Sequence, residues 1–160
     1  MAWHVLYVKS RCEKKVAEHC SRQGLDLYLP LRRETKIYQR RRVTVEKPVF
    51  QGYVFARFSP EQRADLMRSH AVLNVLDVED QDLFLRELEQ VRLALDVDPT
   101  LGVERILQPG RRVKITSGPF MGLEGTVQTV RGAERVMLAV EMIGQAIVLN
   151  AETALLEPLD

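Results

Sequence analysis

The sequence predicts an α+β protein in two domains, a ferredoxin-like α/β sandwich followed by a small all-β barrel. Three observations carry this reading. The first 95 residues run strand, helix, strand, strand, helix, strand, the split βαβ order, with a third helix after it. Residues 96–108 then lose periodicity and contain Pro99 and Gly102, which marks a linker. After Pro109-Gly110, short Val/Ile/Leu-rich runs alternate with Gly118-Pro119, Gly122, Gly125, Gly132 and Gly144, the spacing of short barrel strands over 109–160.

Each element has its own local signal. Trp3 to Lys9 is aromatic and branched, with Trp3, Val5 and Tyr7 on one side and Leu6 and Val8 on the other, so it reads as a strand buried on both faces. Cys12 to Gln23 lacks Gly and Pro and sets Val16, Ala17 and Cys20 on one side at helical spacing, with Gly24 as a stop. Leu25 to Leu31 is a short second strand. Arg33 to Tyr38 and Val43 to Val49 are the arms of a basic hairpin around Gln39-Arg-Arg-Arg42. Phe50 to Phe58 resumes strand character, with Tyr53 and Phe55 on one face and Val54 and Ala56 on the other. Ser59-Pro60-Glu61-Gln62 is a capping box with proline at the first helical position, opening a second helix to about Ser69. Val72 to Val78 is a strand. Phe84, Leu88, Val91 and Leu95 recur at steps of four, three and four, which gives an amphipathic third helix expected to pack on the first domain.

At 160 residues, 46% hydrophobic and 28% charged, the chain has the composition of a globular protein and not of a disordered tail, a collagen-like repeat or a coiled-coil rod. Its uncharged apolar runs fall far short of the roughly 20 residues of a membrane span, and Met1 to Arg11 lacks the apolar core of a signal peptide, so a cytoplasmic protein without membrane contact is expected. Cys12 and Cys20 lie eight apart, a spacing that implies neither a disulfide framework nor a zinc site. The net charge of +1 conceals an uneven spread: residues 1–60 hold 13 Lys/Arg against 5 Asp/Glu, and residues 61–108 hold 5 against 11. A nucleic-acid site should therefore be local, because counterion release scales with the phosphates contacted.

No G-x-G-x-x-G, P-loop, H-E-x-x-H or nucleophile elbow appears, and the three histidines are scattered, so a non-enzymatic protein without cofactor or metal is expected. Glu79, Asp80 and Asp82 sit at the start of the third helix, where carboxylates favour the positive end of the dipole. The first helix has a polar face on which Lys15, His19 and Arg22 follow at steps of four and three, beside Gln23 and close to Lys9 and Arg11. A solvated face accounts for that row. So does a nucleic-acid contact, since Arg and Gln pair with guanine and adenine edges while Lys supplies charge to phosphate. Arg40-Arg41-Arg42 reads equally as an exposed hairpin tip or as a contact for phosphate or an acidic protein. Tyr7, Phe50, Tyr53 and Phe55 lie on adjacent strands, with Phe50 at a strand entrance where an aromatic ring can stay partly open.

Trp3-His-Val-Leu-Tyr-Val-Lys9, Lys47-Pro-Val-Phe-Gln-Gly-Tyr-Val-Phe55 and Gly110-Arg-Arg-Val-Lys-Ile-Thr-Ser-Gly-Pro-Phe-Met-Gly-Leu-Glu-Gly-Thr-Val127 together resemble the NusG family of transcription elongation factors over nearly the whole chain. The last segment resembles the KOW motif. The resemblance implies an N-terminal domain that docks on the clamp helices of RNA polymerase through an aromatic surface, matched here by Tyr7, Phe50, Gly52, Tyr53 and Phe55. The family's Phe-Pro-Gly-Tyr or Phe-Pro-Asn-Tyr is here Phe50-Gln51-Gly52-Tyr53. His19-Cys-Ser-Arg-Gln23 and the compact length are most similar to the RfaH-like antiterminators, which read the non-template DNA strand; this implies Lys9, Lys15, His19, Arg22 and Gln23 as DNA-binding residues. Arg63-Ala-Asp-Leu-Met67 departs from the threonine-rich patch of those paralogues. Phe120, Met121 and Ile143 match barrel-loop positions that contact a small-subunit ribosomal protein or Rho, although Gln145 stands where the family commonly has arginine. Ala133 to Met142 resembles the paralogues' segment that switches between helix and strand; interior glycines, at about 1 kcal/mol each in a helix, make the barrel the expected resting form. The implied protein is a monomeric antitermination factor. A general NusG-type factor that recruits Rho, and an RNA-binding or ribosome-associated KOW protein, are the alternatives.

Overall fold

The computed structural model describes residues 1–150 and 156–159. In chain order the elements are β1 (Ala2–Val8), α1 (Glu13–Arg22), β2 (Asp26–Tyr28), β3 (Leu31–Tyr38), β4 (Arg41–Pro48), β5 (Tyr53–Phe58), α2 (Pro60–Arg68), β6 (Val72–Asp77), α3 (Gln81–Val97), β7 (Val103–Arg105), β8 (Arg111–Ile115), β9 (Glu124–Val130), β10 (Ala133–Val140), a 3-10 turn (Glu141–Ile143), β11 (Gln145–Leu149) and β12 (Leu156–Pro158). The chain divides into two compact units, Met1–Leu31 with Glu46–Leu83, and Arg32–Val45 with Phe84–Asp160.

In the first unit the sheet order is β2-β5-β1-β6 and every pairing is antiparallel. Period-two alternation sends Leu6 and Val8 of β1 and Val54, Ala56 and Phe58 of β5 into one cluster with Val16, Ala17 and Cys20 of α1 and Leu66 of α2. Val5 and Leu6 are both fully buried, so β1 is covered on both sides as its sequence predicts. The capping box forms: Ser59 Oγ accepts from the Gln62 amide at 3.3 Å, and Gln62 Oε1 accepts from the Ser59 amide at 2.9 Å. Two boundaries differ from the sequence reading. Strand β2 holds only three residues, and Phe50-Gln51-Gly52 is a turn, with β5 starting at Tyr53.

The second unit contains a six-stranded antiparallel sheet in the order β12-β8-β9-β10-β11-β7, and the Arg32–Val45 part of the two-stranded β3-β4 hairpin. Gly125 has a packing reason: a Cβ there would come within 3 Å of the Met137 carbonyl oxygen and the Val136 side chain on β10. Ala133 to Val140 is strand, and Glu141 to Ile143 is a 3-10 turn. The segment read as linker contributes β7, whose Val103 pairs with Ile147 of β11.

Helix α3 is shared between the two units, with Gln81–Leu83 in the first and Phe84 onward in the second. The Gln90 amide donates to the Glu124 carbonyl at 2.8 Å and its carbonyl accepts from the Glu124 amide at 2.7 Å, so one side chain completes both backbone groups at the head of β9. The Glu141 amide donates to the Glu87 carboxylate at 3.1 Å. Gln81 treats β1 in the same manner, donating to the Trp3 carbonyl at 2.9 Å and accepting from its amide at 2.8 Å. The apolar steps of α3 were legible in sequence, whereas these side-chain pairings with distant backbone were not.

Candidate functional site

Strand register creates the aromatic site. Tyr7 of β1 stands directly opposite Tyr53 of β5, and the two rings stack at a centroid separation of 5.5 Å and 25°. Tyr7 is 44% exposed, and Tyr53 is half-buried. The turn Phe50-Gln51-Gly52-Tyr53 holds the pair in place. The Tyr53 amide donates to the Phe50 carbonyl at 3.2 Å and Gly52 adopts φ +88°, the left-handed third position of a type II turn. The Val8 amide donates to the Gly52 carbonyl at 2.8 Å, and the Gly52 amide donates to Glu13 Oε2 at 2.9 Å. Glu13, 4% exposed on the first turn of α1, is the residue that sequence reasoning missed. Nothing local in the sequence announces its partner, which lies 39 residues away.

Phe50 does not stay open at the strand entrance. It retains 1% of its exposure and meets the fully buried Phe55 edge-on, with centroids 6.1 Å apart and planes at 61°. The five aromatic-site residues therefore sort by depth: Phe50 and Phe55 form the floor, Gly52 shapes the turn, and Tyr7 and Tyr53 reach the surface. Beside Tyr7 lies an open cleft of about 570 Å³ lined by Ser10, Arg11, Glu13, Lys47, Gln51 and Gly52 among others. Polar and charged groups around it and the Tyr7 ring at its edge suit a protein surface better than a small apolar ligand.

On α1, Lys15 and Arg22 are exposed, as are Lys9 before the helix and Gln23 at its end. His19 is different. Its Nε2 is shielded from solvent, has no hydrogen-bond partner, and lies 3.8 Å from Asp65 Oδ2 of α2. The row is thus continuous in sequence but broken on the surface, and only its cationic and amide members present free ends. Beneath it, burial pushes the Cys20 thiol up to about 11, so this cysteine stays protonated at neutral pH.

In the second unit, Phe120 and Met121 sit in the turn between β8 and β9, tied by the Met121 amide to the Gly118 carbonyl at 3.2 Å and the Leu123 amide to the Phe120 carbonyl at 3.2 Å. Met121 is 67% exposed and Phe120 half-buried. Ile143, also half-buried, ends the 3-10 turn before β11. They occupy two separate loops. Among the described residues no group of His, Cys, Asp and Glu is arranged to hold a metal, and no helix is long and apolar enough to cross a membrane.

Among the described residues these elements define a mixed α/β protein with three α-helices, the first unit of which carries a surface tyrosine pair on a sheet packed against helix α1. The family model described as the transcription termination factor NusG matches residues 1–93, and the chain belongs to the NusG family of transcription factors. Two crystal structures of the MjSpt4:Spt5 complex are also similar. Conformation A aligns at 14% identity over 99% of this chain and 98% of that one, with a TM-score of 0.32; conformation B aligns at 18% identity over 99% of both, with a TM-score of 0.33.

Proposed function

We propose that the protein is a non-enzymatic, cytoplasmic elongation factor that binds RNA polymerase through Tyr7 and Tyr53 and suppresses pausing or termination. The first unit is read as a ferredoxin-like sandwich of the NusG N-terminal type, and the strands after Pro109 as a KOW barrel. The observation that carries the polymerase reading is the stacked, half-open tyrosine pair on a turn fixed by two backbone hydrogen bonds and one to the Glu13 carboxylate, beside the buried Phe50 and Phe55. A surface of two rigid aromatics needs little ordering on binding, which suits a protein hot spot. Lys9, Lys15, Arg22 and Gln23 are its candidate DNA contacts, in the manner of the RfaH-like antiterminators, and Phe120, Met121 and Ile143 are candidate contacts for a ribosomal protein or Rho.

The test uses Tyr53→Ala, which removes a half-buried ring and leaves the buried Phe50 and Phe55 in place. Binding of the full chain to a reconstituted elongation complex should fall at least tenfold while the melting temperature stays within a few degrees. Undiminished binding by Tyr53→Ala would remove the docking assignment. For the DNA face, Arg22→Ala should cost roughly 1–3 kcal/mol on a preferred non-template sequence and much less on others.

A further inference from the structure

The β3-β4 arm is a surface that this reading leaves unused. Between Arg32 and Lys47 it carries seven cationic side chains against two carboxylates. Its base is fastened: the Arg33 amide donates to the Pro99 carbonyl at 2.7 Å, and the Arg32 guanidinium donates to the carbonyls of Leu101 and Thr100 at 2.9 and 3.0 Å. Its tip is a two-residue turn in which Gln39 and Arg40 both take positive φ, +48° and +65°, the pattern of a type I′ turn. Every residue from Lys36 to Thr44 is exposed.

Register sorts these side chains by face. The turn sets Tyr38 opposite Arg41, and the Thr35 and Thr44 hydroxyls, 3.4 Å apart across the ribbon, agree with that alignment. Alternation then places Lys36, Tyr38, Arg41 and Val43 on one face, with Arg40 at the tip above them. Tyr38 is 67% exposed and Val43 41% exposed. An aromatic ring flanked by cations on an open strand combines the two features that hold an unpaired nucleic-acid strand, charge along the backbone and a flat platform for a base. In a duplex the bases are already stacked and leave such a ring nothing to cover. An acidic protein segment would engage the arginines and leave the ring without a flat partner.

We infer that the β3-β4 arm is a second nucleic-acid site, separate from the polar face of α1, at which Lys36, Arg40 and Arg41 hold the phosphates of a single strand while Tyr38 stacks on a base. The contact is independent of sequence, because every base offers a π-face.

The experiment measures binding of the full chain to labelled single-stranded DNA and RNA of two unrelated sequences, and to the matching DNA duplexes, across a salt series. Tyr38→Ala should weaken single-strand binding roughly 5- to 100-fold on both sequences, leave duplex binding unchanged, and be rescued by Tyr38→Phe. Arg41→Ala should lower the salt slope on single strands by about 0.7. The DNA and RNA arms identify which single strand is preferred. An unchanged Tyr38→Ala affinity, an equal loss on duplex, or competition by polyglutamate as strong as by an oligonucleotide of equal charge would each overturn the inference. Because Arg22→Ala acts on a preferred sequence and Tyr38→Ala on all, failure of the α1 assignment remains distinguishable from failure of this one.

Discussion

Two aromatic turns in this chain look alike on paper and are opposite in construction. The Phe50–Tyr53 turn uses glycine for its left-handed residue, binds its backbone to β1 and α1, and buries its first ring completely. The Tyr38–Arg41 turn places Gln39 and Arg40 in the left-handed region without glycine, and leaves Tyr38 in solvent. The first is a rigid part of a core that presents only its outer rings, and the second is a free tip held at its distant base. A surface contact at the first depends on a preformed platform, whereas one at the second can arise from exposed charge and a single ring.

Mutations should separate the two regions in stability before any binding is measured. Phe50→Ala removes a fully buried ring and its edge contact with Phe55, and should cost about 3–5 kcal/mol in denaturant unfolding, whereas Tyr38→Ala should stay within about 0.5 kcal/mol. Comparable losses at both positions would end the distinction.

The helix layer of the first unit carries a pH signature. The Cys20 thiol is raised from its ordinary value near 9 to about 11 by burial, so above pH 9 the unfolded chain gives up this proton first. The stability it contributes is present below pH 9 and falls by about 2–3 kcal/mol as pH rises to 11. Cys20→Ala should flatten that part of the alkaline stability curve, and in native protein at neutral pH a maleimide should label the half-buried Cys12 and spare Cys20.

Glu13→Ala strips the Gly52 amide of its acceptor and should cost about 1–3 kcal/mol, with a loss of Tyr7–Tyr53 order visible as faster amide exchange at Gly52 and Tyr53. At the other turn, replacing Gln39-Arg40 by Asn-Gly relieves two left-handed non-glycine residues and should stabilise by up to about 1 kcal/mol, read as a higher unfolding midpoint. Destabilisation by Asn-Gly would show that the tip is held by its side chains.

Much of the local structure was legible. The alternation of β1, the apolar stripe of α1, the capping box of α2 and the two arms of the hairpin follow from neighbouring residues, since propensity, capping and period-two or period-3.6 burial act over a few positions. Candidate sites were less legible. Lys15, Arg22 and Gln23 are exposed as their pattern suggests, but His19 in the same row has its Nε2 shielded beside Asp65.

By itself the sequence determined the three helices, most of the strands, the hairpin tip and which residues carry charge. Only the tertiary structure decided that Phe50 is buried and Tyr7 is surface, that Glu13 anchors Gly52, that Gln90 and Glu87 of α3 complete backbone groups at Glu124 and Glu141, and that the supposed linker supplies β7. The reason is physical: conformation at one residue is set largely by its neighbours, whereas depth and hydrogen-bond partner are set by strand pairing and packing between residues far apart in the chain.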